Sequence, residues 1–388
     1  MAEIDIVGGS AAGLFAGYLL AREGKNVRLF DANDVLNVES RTLITTSRLN
    51  EVLGFFPQEA VVNRIDQIDL YSPRRAVSIP MQEHDLVVER AVIIRMLARM
   101  ALNAGVEIRG GCKLTNIERG DRAVKFTIRD SHRDRVEEFS SRILIGADGM
   151  SSRVAKIAGG NGYQTTPLLQ AIVELQKGER AGTTKVWFEP EDTPYFYWSI
   201  PQSPTHAAVG FIAEDGKSAR EKLERFLARI GLRAVELQSA RIPAYQHFTR
   251  PWRRMAGCNV YLIGDAASQV KVTTVGGLVT GLRGARAVAD AILHRTHYLK
   301  ELRPLRRDLS LHLLIRSVLN GFGSADYDRL LGLLNEKTIH LLGQYNRDQA
   351  AGMLCRILLA QPRFLGFATY MARGFWKNKT ELGFQQRS

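Results

Sequence analysis

The 388-residue sequence is poor in cysteine and contains no recognisable metal-binding pattern. Its three cysteines, Cys112, Cys258 and Cys355, are too few and too scattered for a disulfide framework or a thiolate metal site. Of the eight histidines, His294 and His297 lie one helical turn apart, but no further ligands stand near them. We therefore predict no metal and a reducing, cytoplasmic environment. The apolar pattern begins too close to the N-terminal methionine for a signal peptide to precede it.

Long uncharged apolar runs are also missing from the sequence. No window reaches about eighteen such residues, which excludes a membrane-spanning helix on length. Repeats and low-complexity segments are absent as well. Hydrophobic residues make up 45% and charged residues 24% of the chain, which is near the globular average and argues against disorder. The length predicts two or three domains.

The net charge of +13 is concentrated towards the C-terminus. Residues 295–388 contain fifteen Lys and Arg against seven Asp and Glu, between apolar stretches at 311–319, 330–342 and 353–376. Two interpretations are equally open. The region adsorbs to the anionic inner face of a membrane, or it is a helical bundle with a solvated basic face. The basic residues are not grouped with aromatics in a binding module, so nucleic acid is not a predicted partner.

A glycine-rich segment opens the chain at residues 7–13, V-G-G-S-A-A-G. It follows an apolar strand and begins a predicted helix over residues 11–22, an arrangement that places a pyrophosphate at a helix N-terminus. Ser10 stands where the usual pattern has its middle glycine. The second strand ends at Asp31, where an acid accepts hydrogen bonds from an adenosine ribose. The predicted contacts of this segment are Gly8, Ser10, Ala12 and Gly13.

Two later segments also place glycine and aspartate at strand ends. Residues 146–149, G-A-D-G, contain Asp148, which is either a cofactor contact or a plain helix N-cap. Residues 264–267, G-D-A-A, contain Asp265, an acceptor for a ribityl hydroxyl. Gly276 and Gly277 then point backbone N–H groups at a flavin ring, before a helix predicted over residues 278–293. Together with the first segment, they predict one FAD site.

The order of these motifs resembles that of flavoproteins with the p-hydroxybenzoate hydroxylase fold. Finer motifs are similar to those of the geranylgeranyl reductase family. Residues 271–277, K-V-T-T-V-G-G, resemble its K-P-T-T-G-G-G, and residues 196–201, F-Y-W-S-I-P, resemble its Y-x-W-x-F-P. Residues 309–316 and 346–348 resemble its helical C-terminal part. The resemblance spans nearly the whole chain.

The resemblance implies a fold and a domain division. The fold class is α/β, with a discontinuous FAD-binding Rossmann-like domain, an antiparallel β-sheet substrate domain and a C-terminal helical region. The FAD domain takes residues 1–160 and 250–294, the substrate domain residues 161–249, and the helical region residues 295–388.

The sequence differs from the family pattern at two places. The family's C-G-G-G-L stretch corresponds here to residues 41–45, ahead of Arg48, so a cysteine-assisted proton transfer is not supported. The aspartate usual four residues after the arginine at position 90 is missing. Arg48 and Arg90 are still predicted flavin-site contacts, although Arg90 also suits a solvated helix start.

The implied activity is reduction of carbon–carbon double bonds in a polyprenyl lipid, quinone or pigment side chain. Phe196, Trp198 and Pro201 are the predicted substrate contacts, and ordinary sheet packing is the alternative for them. No catalytic residue is identified, and Lys271, Thr273, Thr274 or ordered water are candidates for the proton source. NAD(P)H or a ferredoxin-like protein would reduce the FAD.

Two other functions are left open by the sequence. One is a flavin monooxygenase or halogenase, because residues 196–201 also resemble the halogenase W-x-W-x-I-P. The other is a basic, membrane-associated binding protein without catalysis.

Overall fold

The computed structural model describes residues 3–119, 123–157, 159, 164–244, 248–255, 257–345, 348 and 350–370. In these ranges the strands, in chain order, are β1 (Ile4–Val7), β2 (Val27–Phe30), β3 (Thr42–Thr45), β4 (Val61–Ser72), β5 (Arg75–Glu89), β6 (Glu107–Arg109), β7 (Cys112–Arg119), β8 (Val124–Asp130), β9 (Arg135–Ser141), β10 (Ile143–Gly146), β11 (Gln164–Glu174), β12 (Thr183–Trp187), β13 (Tyr197–Pro201), β14 (His206–Ile212), β15 (Ala234–Ala244), β16 (Trp252–Met255) and β17 (Cys258–Leu262).

The α-helices in the same ranges are α1 (Ala11–Ala21), α2 (Arg48–Leu53), α3 (Arg90–Asn103), α4 (Arg153–Ile157), α5 (Ala219–Arg229), α6 (Leu278–Leu293), α7 (Tyr298–Glu301), α8 (Arg303–Leu319), α9 (Ser324–Gly332), α10 (Glu336–Gln344) and α11 (Ala350–Ala360). None of the helices in the described part of the chain combines the length and hydropathy that a membrane crossing requires.

A six-stranded sheet in the order β16-β17-β10-β1-β2-β6 forms the centre of one half of the molecule. Because this half carries the three glycine-containing motifs, we refer to it as the cofactor half. β1 pairs in parallel with β10 and β2, and β10 pairs in parallel with β17. All four residues of β1 are buried, as expected for a strand with both faces covered. The carboxyl ends of these parallel strands meet at one edge, so all three glycine-containing motifs emerge there.

Helices α1, α3 and α6 pack on one face of this sheet around a single apolar core. Leu14 and Leu19 of α1 are buried there with Leu97 of α3 and Leu282 of α6. A three-stranded sheet in the order β7-β8-β9 is part of the packing on the other side, where Phe30 contacts Phe126 edge-on at 5.8 Å between ring centroids.

An eight-stranded sheet in the order β15-β11-β14-β13-β12-β4-β5-β3 forms the second half. It is antiparallel apart from the β12–β4 pair, which is parallel. Strands β3 to β5, from residues 42–89, complete it, whereas we expected the sheet to come from residues 161–249 alone. The division given above places residues 42–89 in the FAD domain, because they lie in sequence between the first two glycine-containing motifs.

The two faces of this sheet have different neighbours. Tyr197 lies on the face that α5 covers, where its ring stacks on Phe226 at 3.9 Å. Trp198 points to the opposite face by strand alternation. The C-terminal helices cover part of that second face, since Tyr327 of α9 stacks on Phe188 at 4.4 Å.

The α/β fold class is confirmed, with a Rossmann-like half, a largely antiparallel sheet and C-terminal helices. The domain boundaries given above stay a prediction.

Candidate functional site

The first glycine-rich turn is closed so tightly that two of its glycines have no room for a side chain. Gly8 has a φ of 111°, and a Cβ built on it would lie 2.3 Å from the Ala147 carbonyl oxygen. A Cβ on Gly13 would lie 2.1 Å from the Gly8 carbonyl oxygen. Ser10 is the N-cap of α1 and accepts a hydrogen bond from the Gly13 N–H at 3.2 Å. The turn therefore presents backbone, not side chains, at the N-terminus of α1.

Asp31 holds the same turn from the end of β2. Its Oδ2 accepts the Gly9 N–H at 2.6 Å and its Oδ1 accepts the Asn33 N–H at 2.8 Å. An ionised carboxylate has about four acceptor positions, so two remain for a ribose hydroxyl.

The second motif follows β10 and lies against the first. A Cβ on Gly8 would come within 2.7 Å of the Asp148 backbone nitrogen. The Asp148 carboxylate accepts the Ser152 hydroxyl at 2.5 Å and the Arg153 N–H at 2.8 Å. Burial raises the pKa of Asp148, and these hydrogen bonds oppose that rise. Asp148 therefore accepts the first N–H groups of α4, while Ser152, directly before the helix, accepts the Ala155 N–H at 2.8 Å and is the N-cap. The contact of Asp148 with a cofactor stays a prediction.

The third motif joins the other two at the same edge. A Cβ on Gly264 would lie 3.3 Å from the Ala12 side chain, so Ala12 serves to pack α1 against this motif. Asp265 comes next, and a Cβ on Gly277 would lie 3.3 Å from its Oδ1. Burial raises the pKa of Asp265, while the nearby Arg90 cation lowers it. The structure therefore brings Asp265, Gly277 and Arg90 together.

A tight loop runs from Lys271 to Gly276 just before α6. The Lys271 N–H donates to the Gly276 carbonyl at 3.1 Å, and the Val275 N–H donates to the Lys271 carbonyl at 2.6 Å. Val275 has a φ of 56°, in the left-handed region that β-branched residues rarely adopt. Gly277 is the N-cap of α6, and it has no side chain that could accept a hydrogen bond from the first N–H groups of this sixteen-residue helix.

A buried ion pair fastens this loop to the C-terminal helices. Lys271 Nζ lies 2.7 Å from Asp348 Oδ1, and the two side chains are only 9% and 1% exposed. The Thr46 hydroxyl donates to the other Asp348 oxygen, and Arg48 Nη1 donates to the Asp348 backbone carbonyl at 3.2 Å. Asp348 therefore joins the loop before α6 to the segment between β3 and α2. This contact gives Arg48 a structural role, and its predicted contact with the cofactor is untested.

Helix α8 contacts the same loop through a buried histidine. His312 Nδ1 and the Thr273 hydroxyl lie 2.7 Å apart. Burial and the nearby Lys271 cation lower the pKa of His312 to about 4, so this imidazole is neutral at neutral pH. One turn further on, Arg316 donates to the Pro194 carbonyl and lies over the Tyr195 ring at 4.6 Å. α8 thus ties the loop to the sheet.

The face of the large sheet that carries Trp198 is apolar where it meets this loop. Trp198 is 9% exposed and packs in a cluster with Leu168 and Ile242, and Val275 of the loop packs against the same cluster. Phe196 meets Trp198 edge-on at 6.2 Å between ring centroids. Nε1 of Trp198 is buried and forms no hydrogen bond with the described residues.

Pro201 does not join this face. Strand alternation places it with Tyr197 on the α5 side of β13, and its carbonyl accepts the Asn63 side-chain N–H at 2.9 Å. The structure therefore separates Pro201 from Trp198, because only residues two apart on a strand share a face, and its predicted contact with substrate is untested.

Several site residues escaped the sequence analysis. Arg41 lies close to Arg90, and its pKa is lowered by burial and by that neighbouring cation. His312 and Arg316 could be assigned only once α8 was seen to cover the site. Asp348 had a weak signal in the similarity of residues 346–348 to the reductase family.

Comparisons with known proteins agree with this geometry. Residues 1–296 match the family described as FAD binding domain. Digeranylgeranylglycerophospholipid reductase 2 of Methanothermobacter thermautotrophicus is 25% identical over 94% of this chain and 97% of its own length. The chloroplastic geranylgeranyl diphosphate reductase of Oryza sativa subsp. japonica is 27% identical over 75% of this chain and 66% of its own length.

Solved structures show the same fold. A geranylgeranyl bacteriochlorophyll reductase-like protein from Thermoplasma acidophilum superposes with a TM-score of 0.78 at 16% identity, covering 95% of this chain and 98% of that protein. A triple mutant of a flavin-dependent brominase superposes with a TM-score of 0.68 at 15% identity, over 92% and 98% of the two chains. The resemblance to geranylgeranyl reductases is confirmed, and the chain belongs to the FAD binding domain family.

Proposed function

We propose that this protein is a FAD-dependent oxidoreductase that reduces isolated carbon–carbon double bonds in the polyprenyl chain of a lipid, quinone or pigment. The observation that carries the proposal is the apolar cluster of Trp198, in which Val275 of the loop before α6 packs. A hydrocarbon chain binds such a surface because apolar area is removed from water, which stabilises the bound state by about 25 cal/mol per Å² buried. The names of the two reductases compared above, one of which matches over nearly its full length, support the same substrate class.

The residues of the three motifs fit FAD. The turn at Gly8 and Gly13 places no side chain in the way of a diphosphate at the N-terminus of α1, and Asp31 keeps acceptor positions for a ribose. Asp265 would accept a ribityl hydroxyl. When bound and reduced by two electrons from its donor, the flavin would supply a hydride to one alkene carbon and return to its oxidised form. The N-terminus of α6 would stabilise negative charge on the ring system.

Lys271 is the proton reservoir that we infer for the second alkene carbon. Its ammonium group is held by Asp348 next to the Gly276 turn. His312 is less suited, because a pKa of about 4 leaves it unprotonated at neutral pH. Thr273, hydrogen-bonded to that neutral imidazole, would pass a proton on but not store one.

The electron donor belongs to the proposal and has no residues assigned to it. The sequence has no second dinucleotide fingerprint, so either free NAD(P)H or a ferredoxin-like protein would reduce the FAD.

The test is an anaerobic assay of the purified, chemically reduced holoenzyme with geranylgeranyl diphosphate. Mass spectrometry should find products heavier by two hydrogens for each double bond reduced. Trp198→Ala should lose most of this activity and keep its FAD. The matched control is Trp187→Ala, whose ring stacks on Tyr71 on the opposite face at 5.2 Å and should affect stability more than activity. A Trp198→Ala enzyme as active as the wild type would refute the assignment of this face to substrate.

A flavin monooxygenase or halogenase is the second candidate, favoured by the superposition on the brominase structure. It would consume oxygen in step with product formation, whereas the reductase works in its absence. Substrate-coupled oxygen uptake without hydrogenated product would replace our proposal with this one.

We also propose that the enzyme works in the cytoplasm at the inner face of an anionic membrane, through its basic C-terminal part. Arg363 is exposed there; Arg373, Lys377 and Lys379 lie outside the described residues. Each basic residue near a charged surface adds about 1 kcal/mol of attraction, which salt screens. Sedimentation with anionic vesicles should therefore decrease as salt rises, and binding indifferent to salt would contradict it.

A further inference from the structure

An open groove of about 560 Å³ lies between α8 and α11, outside the cofactor site. Arg303, Arg306 and Arg307 line one part of it together with Ser310. The rest is lined by Leu299, Leu311, Leu354 and Cys355. We refer to it as the arginine groove.

The three arginines of the groove have no carboxylate partner among the described residues. The acids next to them in sequence are engaged elsewhere. Asp308 pairs with Arg283 at 2.8 Å, and Glu301 accepts the Thr296 hydroxyl at 2.8 Å. Three guanidinium groups within five residues thus share a groove without compensating charge. Guanidinium groups match phosphate oxygens in geometry as well as in charge, so the missing partner is expected to be an anion.

The apolar part of the groove continues onto exposed leucines. Leu314 is 37% exposed and lies three residues beyond Leu311, on the same side of α8. Leu359 is 82% exposed and lies four residues beyond Cys355, which also lines the groove. Large apolar side chains this exposed, next to unpaired cations, suit the boundary between headgroups and acyl chains. A free phosphate or a nucleic acid would leave the leucines in water.

We propose that the arginine groove binds the phosphate headgroup of an anionic phospholipid in a membrane surface, with Leu314 and Leu359 in the outer part of the apolar layer. The inference rests on the proposed membrane contact but not on the proposed chemistry. It assigns the contact to α8 and α11, whereas the sequence placed it at Arg363 and the basic residues after it.

The experiment measures binding of the full-length holoenzyme to two kinds of vesicle, phosphatidylcholine alone and phosphatidylcholine mixed with phosphatidylglycerol. The test variant is Arg303→Glu/Arg307→Glu, because both side chains are exposed; Arg306 is kept, since it lies over the Phe248 ring at 5.3 Å. The matched control is Arg142→Glu/Arg233→Glu, the same charge change at exposed arginines away from the groove.

The concentration of mixed vesicles that binds half of the enzyme should rise by about tenfold or more in the test variant. In the control variant, the same concentration should change by less than about threefold. A second pair isolates the leucines: Leu359→Ser should weaken binding, and Val235→Ser, 63% exposed on β15, should not. FAD content and turnover of dispersed geranylgeranyl diphosphate should stay at the wild-type level in all variants. Because the readout is vesicle binding, it is independent of whether the enzyme reduces that substrate.

Three outcomes would overturn the proposal. Equal losses in the test and control pairs would mean that only net charge matters. Wild-type binding of the test variant, with loss on reversing Arg373, Lys377 and Lys379 instead, would place the contact in the C-terminal segment. If free glycerol phosphate, at the concentration of the anionic lipid, displaced the enzyme from the vesicles, then a soluble anion, and not a membrane, would be the ligand.

Discussion

The buried pair of Lys271 and Asp348 gives the most direct test of how the C-terminal helices are coupled to the cofactor half. At 2.7 Å, two unit charges attract by about 6 kcal/mol at an effective dielectric constant of about 20. Removing both charges from water costs a similar amount, so the intact pair is close to neutral in its net effect on stability. Removing one partner leaves the other charge buried without the counterion of this pair.

We therefore expect Asp348→Leu to destabilise the folded protein by about 3 to 5 kcal/mol. Lys271→Met should cost less, because Asp348 keeps the Thr46 hydroxyl as a donor. The double variant Lys271→Met/Asp348→Leu should be more stable than Asp348→Leu alone, since no unpaired charge is left.

The assay is urea unfolding of the holoenzyme, followed by near-ultraviolet circular dichroism and in parallel by the fluorescence of released flavin. Loss of FAD at lower urea than loss of tertiary signal would show that the pair holds the loop before α6 more than the fold. The reasoning is refuted if the two single effects simply add in the double variant, or if Asp348→Leu unfolds at the wild-type midpoint.

Three further predictions address the cofactor site and α8. Gly13→Ala should abolish FAD binding, because its Cβ would meet the Gly8 carbonyl oxygen at 2.1 Å. The control is Gly17→Ala on the same helix, which should bind FAD normally because the nearest contact of its Cβ would be at 3.5 Å. Equal flavin content in the two purified variants would contradict this prediction. The pKa of His312 is lowered to about 4 in the folded protein and is about 6.5 in the unfolded chain. Because the unfolded chain therefore binds this proton more tightly, the free energy of unfolding should fall by up to about 3 kcal/mol as the pH drops from 6.5 to 4. His312→Gln should lack this part of the pH dependence, and identical stability–pH curves would be the contrary result. Asp265→Ala should weaken FAD binding by about 1 to 3 kcal/mol for one lost hydrogen bond, and titration of apoprotein with FAD measures it; an unchanged dissociation constant would remove Asp265 from the site.

Much of the cofactor half could be predicted because its signals are local. Helix α6 has the bounds that the sequence predicted, and each motif lies at the end of a parallel strand. Strand direction then brings the motifs to one edge without any knowledge of side-chain packing. The position of Trp198 on one face of β13 also followed from alternation alone.

What only the tertiary structure decided were contacts between residues far apart in the chain. Asp348 lies 302 residues from Thr46 and 77 from Lys271, and no local pattern specifies such a pairing. The role of Asp148 was open in the sequence because an N-cap and a cofactor contact use the same residue type in the same place. The sheet required strands from residues 42–89 because a long edge must be paired, and only the folded chain shows which strand pairs with it. Local chemistry thus fixed where the cofactor motifs lie, and long-range packing fixed what surrounds them.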